Sequence, residues 1–179
     1  NVWQFYLAFS GGSHNLGSEP GKELVLRFGE FALYALWITL AVSPLKYWFG
    51  FSKLMKFRRM LGLFVFFYAT LHILSYAWFL LGWSWYLLQE DFVQRTYIFL
   101  GFAAWLGLLV LTITSPKWMM KKLKKNWLTI HKAIYVIAVL VIVHEWMQSR
   151  ASVFEPVLHA TILGVLLISR LKVIKKLKR

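Results

Sequence analysis

LGLFVFFYATLHILSYAWFLLG, residues 61–82, runs for 22 residues without a charged side chain. A helix rises about 1.5 Å per residue, and roughly 20 apolar residues cross the hydrocarbon of a bilayer. The stretch therefore reads as a membrane-spanning helix, with His72 inside it. An ionisable side chain at membrane depth is expensive and marks a functional site by default. Histidine is also the commonest metal ligand and a usual axial ligand of heme iron. A second apolar segment, 128–147, carries His131 and His144. Histidines on separate spanning helices point first to heme held inside a helix bundle.

Outward from this stretch the pattern repeats. Apolar segments are read at 1–10, 24–45, 61–82, 96–116, 128–147 and 153–171. The first resembles the tail of a span, so the sequence is expected to start partway through it. The second is entered through Arg27 and Glu30 and is expected to close near Pro44. The full segments match spanning helices, whereas barrel strands would be about half as long and alternating. The fold class is thus all-α, a polytopic transmembrane bundle of six spans with the first truncated. One domain, 1–179, accounts for the chain, and no internal repeat is read.

Composition agrees. Of 179 residues, 59% are hydrophobic, against roughly 45–50% in soluble domains. Cysteine is absent, which excludes disulfides, thiolate metal sites and covalent heme attachment through C-x-x-C-H. Any heme would be held non-covalently, as in b-type sites. The net charge of +14 could suggest nucleic acid, but the basic residues fall in short loops between apolar runs. The loop after the second segment holds Lys46, Lys53, Lys56, Arg58 and Arg59. The loop after the fourth, with the start of the fifth, holds Lys117, Lys121, Lys122, Lys124, Lys125 and Lys132. Arg170, Lys172, Lys175, Lys176, Lys178 and Arg179 complete 17 basic residues on one side without an acid, while all seven acids lie on the other. Cytoplasmic loops carry such an excess, so the basic side is expected to face the cytoplasm and touch anionic lipid headgroups. Trp83, Trp85 and Tyr86, like Trp118 and Trp127, suit interfacial belts.

This orientation gives each histidine a depth. His72 falls in the middle or outer half of its span, His131 near the cytoplasmic face and His144 near the outer face. The last two lie about 20 Å apart along a helix axis and some 140° apart around it, so a bend or tilt is needed for both to face one groove. His159, near the level of His144, is either an alternative ligand or a bilayer-edge residue, and His14 lies in the outer loop. For each, the plainer role is a polar side chain bonded to a backbone carbonyl. There is no H-E-x-x-H, no G-x-G-x-x-G and no phosphate loop. Transport of protons or ions would want acids at membrane depth, whereas Glu30, Glu145 and Glu155 lie near the outer boundary.

Several strings are together specific. Arg58-Arg59-Met60-Leu61-Gly62-Leu63, followed by Ala69-Thr70-Leu71-His72 and Ser75-Tyr76, resembles the MsrQ (YedZ) family. So do Leu16-Gly17-Ser18-Glu19-Pro20, Gly29, Ser43-Pro44-Leu45, Thr114-Ser115, Trp127 to His131 with Tyr135, and His144 followed by Trp146. The resemblance runs from about residue 11 to the C-terminus. It implies the heme-binding, six-span inner-membrane subunit of a bacterial system that repairs oxidised methionine in periplasmic proteins. That family is related to ferric reductases and NADPH oxidases.

Electrons would come from a cytoplasmic flavin reductase or a quinone. They would pass through heme b, one or two per chain, with FMN also attributed to the family, to a periplasmic molybdenum-containing catalytic subunit. His72 and His144 would ligate an outer heme and His131 would be a third ligand. Arg58 and Arg59 stand where the related oxidases carry a second histidine, and could contact heme propionates or the FMN phosphate. Glu145 and His159 depart from the family's pattern. Substrate reduction is expected on the partner subunit. The rivals are a stand-alone transmembrane ferric reductase and a cofactor-free transporter or structural membrane protein.

Overall fold

The computed structural model describes residues 19–149 and 153–177. The first apolar segment, His14 and the chain's last two residues lie outside the described residues. Helix α1 spans Pro20–Phe49, α2 Arg58–Ser75, α3 Trp85–Gln94 and α4 Thr96–Ile113. They are followed by α5 at Lys117–Leu123, α6 at Lys125–His131, α7 at Ala133–Gln148 and α8 at Phe154–Leu177. No strand occurs among the described residues. Four stretches, Pro20–Phe49, Arg58–Leu80, Thr96–Ile113 and Lys125–Gln148, are long and apolar enough to cross a membrane, and the 24-residue α8 covers the last expected segment. The chain is an all-α, multi-pass membrane protein.

Helix α1 begins on a proline, whose missing N–H costs nothing in a first turn. It ends at Gly50, whose left-handed φ of 73° lets its N–H return to the Lys46 carbonyl. It does not close near Pro44. That proline is buried inside the helix, where it deprives the Leu40 carbonyl of its usual donor four residues on. The Arg170 Nε supplies the substitute at 3.0 Å, so the helix continues to Phe49.

Helix α2 relaxes into a π-helical turn at Tyr76–Leu80. It stops at two consecutive left-handed residues, Gly82 and Trp83. The short α3 falls outside the apolar segments read from the sequence, where Trp85 and Tyr86 suit an interfacial belt. Ser84 caps it by accepting from the Leu87 N–H, the usual use of serine at a helix start. The expected fifth span is divided after His131, where Lys132 turns back to the Leu128 and Thr129 carbonyls.

Two antiparallel pairs, α1 with α2 and α4 with α7, form the body; α2 packs on α4, and α8 packs on α1 and α7. Leu33, Leu36, Leu40, Val65, Ala104 and Ala138 are among the core residues shared by these helices. Phe67, Phe99, Val110, Val136, Val165 and Ile168 are at least half exposed or nearly so, as expected where lipid is the solvent. Between α2 and α4, Trp105 donates to the Thr70 hydroxyl at 3.0 Å and stacks on Phe66.

Candidate functional site

His72 on α2 and His144 on α7 face each other, ring centroids 6.3 Å apart and planes at 88°. Each is held in the same way. The His72 Nδ1 lies 2.8 Å from the Val25 carbonyl, and the His144 Nδ1 lies 2.6 Å from the Tyr97 carbonyl. A carbonyl can only accept, so Nδ1 carries the hydrogen in each ring. Nε2 is left as the lone-pair nitrogen, the arrangement usual for metal-ligating histidine.

Both rings also lie against a glycine. A Cβ on Gly29 would sit 3.2 Å from His72 Nδ1. A Cβ on Gly101 would sit 2.8 Å from His144 Nδ1 and Cε1. The glycines are there because the ring edges occupy the space of a side chain.

These contacts obey one register. An offset of 72 residues carries Val25 to Tyr97, Gly29 to Gly101, Ser43-Pro44 to Ser115-Pro116 and His72 to His144. The α1–α2 pair and the α4–α7 pair thus hold their histidines in the same way. The register escapes a direct reading because its fixed points are few and scattered through apolar residues that interchange freely. The acceptor at the donor-histidine positions is a backbone carbonyl, which leaves no side-chain signature at Val25 or Tyr97.

A single ion held between two opposed imidazole nitrogens would set the ring centroids about 6.2 Å apart, taking ~2.0 Å per nitrogen–metal bond and ~1.1 Å from nitrogen to ring centre. The observed 6.3 Å fits that span. No group of three or more His, Asp or Glu side chains converges among the described residues. An ion held by such a pair would draw its remaining ligands from a cofactor, as in a bis-histidine heme.

His131 lies apart from this pair. Its Nε2 is 3.1 Å from the Thr114 hydroxyl, and the Trp127 ring stacks on it at 4.1 Å. Trp127 itself donates to the Thr114 carbonyl at 3.0 Å. Arg58, half-buried, lies within electrostatic range of His131, while Arg59 is exposed. The 72-residue offset carries Arg59 to His131.

His159 is not joined to the two opposed rings. Its Nδ1 meets Glu145 Oε1 at 2.5 Å, and its ring lies edge-on to Trp37 at 4.8 Å. Glu145 Oε2 and Trp37 Nε1 are buried without hydrogen-bond partners among the described residues. Above the pair, Tyr76 donates to Asp91 and Arg95 pairs with Asp91 at 3.2 Å. This fastens α3 to the end of α2, next to the Tyr97 that receives His144. A shallow groove of about 270 Å³ lined by Phe31, Ile38, Phe64 and Tyr68 opens on the other face of α1 and α2 and is separate from the histidines.

Residues 28–142 match the family described as ferric reductase like transmembrane component. The chain is similar to the protein-methionine-sulfoxide reductase heme-binding subunit MsrQ of Xanthomonas campestris pv. campestris strain B100. The two are 44% identical over 165 residues, 92% of this chain and 76% of the relative. It is 45% identical over the same shares to the MsrQ subunit of Xanthomonas oryzae pv. oryzae strain MAFF 311018. The MsrQ subunit of Bordetella pertussis strain Tohama I is 36% identical over 159 residues, 88% of this chain and 77% of the relative. No solved structure matches the chain.

Proposed function

This chain belongs to the ferric reductase like transmembrane family and, within it, to the MsrQ heme-binding subunits; on that footing we propose that it is a membrane b-type cytochrome of a protein-methionine-sulfoxide reductase system. The observation that carries the reading is the pair of opposed rings at His72 and His144, 6.3 Å apart, each with Nδ1 committed to a carbonyl.

In this reading His72 and His144 would hold the heme iron. When bound, heme supplies one-electron transfer. The protein's contribution is to fix the ligands and tune the potential. The bonds from Nδ1 to Val25 and Tyr97 lock each tautomer and make each imidazole a stronger base, which favours the more highly charged iron. The apolar helices around the pair keep water out and lower the local dielectric. Gly29 and Gly101 let each ring approach its own helix pair closely enough to leave the 6.3 Å gap.

His131, with Arg58 and Arg59, marks a second, inner position. It would serve another heme, or FMN, on the path from a cytoplasmic flavin reductase or a quinone. The acceptor is a periplasmic molybdenum-containing reductase subunit, and the membrane is the bacterial inner membrane with the basic loops in the cytoplasm. No catalytic residue is assigned on this chain.

The test is optical. Purified protein should show a reducible Soret band, with heme counted as the pyridine hemochrome. His72→Ala and His144→Ala should each abolish the outer heme, while His131→Ala should leave it. Protein without a Soret band after expression with added heme precursor would sink the proposal. Full heme and unchanged spectra in both single variants would overturn the ligand assignment.

A further inference from the structure

Arg170, on α8, is 4% exposed. Its guanidinium donates to the Leu40 carbonyl at 3.0 Å, the Ser43 hydroxyl at 3.0 Å and the Tyr135 hydroxyl at 2.8 Å. A longer contact reaches the Thr39 carbonyl at 3.5 Å, and its carbon lies 5.4 Å from the Tyr135 ring centre. Every one of these partners is neutral. Hydrogen bonds are thereby satisfied, but the charge is not, since no acidic side chain forms an ion pair with Arg170 among the described residues.

A second guanidinium stands close by. Arg58 at the start of α2 is within electrostatic range of both Arg170 and Tyr135. It makes no hydrogen bond or ion pair within the protein among the described residues. The Tyr135 hydroxyl accepts from Arg170, which leaves its own proton available to donate.

Two like charges at poorly solvated positions repel through a medium that screens weakly, and a buried charge is costly until a counter-charge meets it. The loops at this end of the bundle carry no acid, so the chain itself offers none. Guanidinium forks match carboxylate and phosphate oxygens.

We infer that Arg58 and the Tyr135 hydroxyl, backed by the buried charge of Arg170, form a seat for an anionic oxygen group, carboxylate or phosphate, of a ligand bound at the basic end of the bundle. Three sources share that chemistry: a porphyrin propionate, the phosphate of FMN and the phosphate of an anionic phospholipid. Only the first depends on the heme reading above. Arg170 holds α8 to α1 and α7, while Arg58 provides the free donors.

The experiment compares wild type, Arg58→Gln, Arg170→Gln and Arg170→Lys. Each is titrated with heme, heme dimethyl ester and FMN. Each is also melted in nanodiscs of phosphatidylglycerol or of phosphatidylcholine. The expected result is a preference in wild type for one anionic probe, at least tenfold in affinity, or a higher midpoint in phosphatidylglycerol. Arg58→Gln should erase it and Arg170→Lys should largely keep it. Preference for heme over its dimethyl ester identifies a propionate, and a gain confined to phosphatidylglycerol identifies a lipid. Should Arg170→Gln fail to fold, Arg58→Gln carries the test, because its side chain holds no protein group in place. Equal binding and equal midpoints in wild type and Arg58→Gln for every probe would overturn the inference. Failure to bind any heme would sink the cytochrome reading but leave the FMN and lipid arms to decide this one.

Discussion

Replacing Gly101 by alanine tests the histidine pair through a residue that is not itself a ligand. The added Cβ would lie 2.8 Å from His144 Nδ1 and Cε1 and 3.4 Å from Cγ. It falls well inside ordinary contact, on the edge of the ring that bonds to the Tyr97 carbonyl at 2.6 Å. The ring must move, and moving it displaces Nε2 or stretches that hydrogen bond. Overpacking costs about 1–3 kcal/mol, and a weakened hydrogen bond adds about 0.5–1.5 kcal/mol. A total of about 1.5–4.5 kcal/mol falling on the bound state is a loss of roughly 10- to 1,500-fold in heme affinity.

Gly29→Ala is milder. Its Cβ would sit 3.2 Å from His72 Nδ1, a gap closed by a few tenths of an ångström, and the loss should stay under about tenfold, or ~1.4 kcal/mol. Heme transfer to an excess of apomyoglobin measures both losses. Electron paramagnetic resonance reports the ring planes, which at 88° predict a strongly axial low-spin signal in wild type. Gly107→Ala is the packing control, since its Cβ would meet Ile137 at 2.8 Å and no histidine. It should lower the melting temperature and leave the spectrum alone. Gly62→Ala meets nothing within 4 Å and should be silent in both. The reasoning is refuted if Gly101→Ala keeps its heme and signal, or if Gly29→Ala is the more damaging of the two.

Arg170→Met should destabilise the fold by about 1–3 kcal/mol, because the Leu40 carbonyl loses the donor that replaces the missing Pro44 N–H. Pro44→Ala restores a helical donor, so the double variant should recover part of the loss. A denaturation cycle showing strictly additive effects would contradict this coupling. Asp91→Asn weakens the contacts from Tyr76 and Arg95 and should raise amide exchange in α3 by about tenfold, an opening cheaper by ~1.4 kcal/mol. Unchanged exchange there would show that α3 is held by something else. His72→Ala and His144→Ala should each remove the outer heme while His131→Ala spares it, as read from the pyridine hemochrome.

What could be read from the sequence divides along physical lines. Long uncharged runs require helices, and a histidine inside one is conspicuous, so the spans and the identities of His72 and His144 were legible. The expectation that Pro44 closes its span failed for a definite reason. A proline ends a helix when its orphaned carbonyl has no other donor, and here Arg170 arrives from a residue 130 positions away. In the sequence Arg170 reads only as a topological charge, because burial cannot be seen in a basic C-terminal stretch. Helix α3 was missed because its aromatic residues also suit an interface, and the Asp91 contact that fixes it depends on Tyr76, 15 residues earlier. The supports of the ligands, two carbonyls and two glycines, have no chemistry of their own in a sequence.

The 72-residue register explains why the two ends of the bundle differ. At the His72–His144 end both halves keep the same parts: carbonyl acceptor, glycine and histidine. An ion held between two opposed rings makes equal demands on each side, and two halves that hold their histidines in the same way meet them with one geometry. At the basic end the same register sets unlike residues against each other. Ser43 accepts from Arg170, whereas its counterpart Ser115 donates to the Leu111 carbonyl. Val42 corresponds to Thr114, whose hydroxyl meets His131, and His131 corresponds to Arg59. A ligand bound there meets a histidine from one half and guanidinium groups from elsewhere. On the proposed reading, the symmetric end would hold a metal between equal bases, and the asymmetric end would orient something with one charged edge.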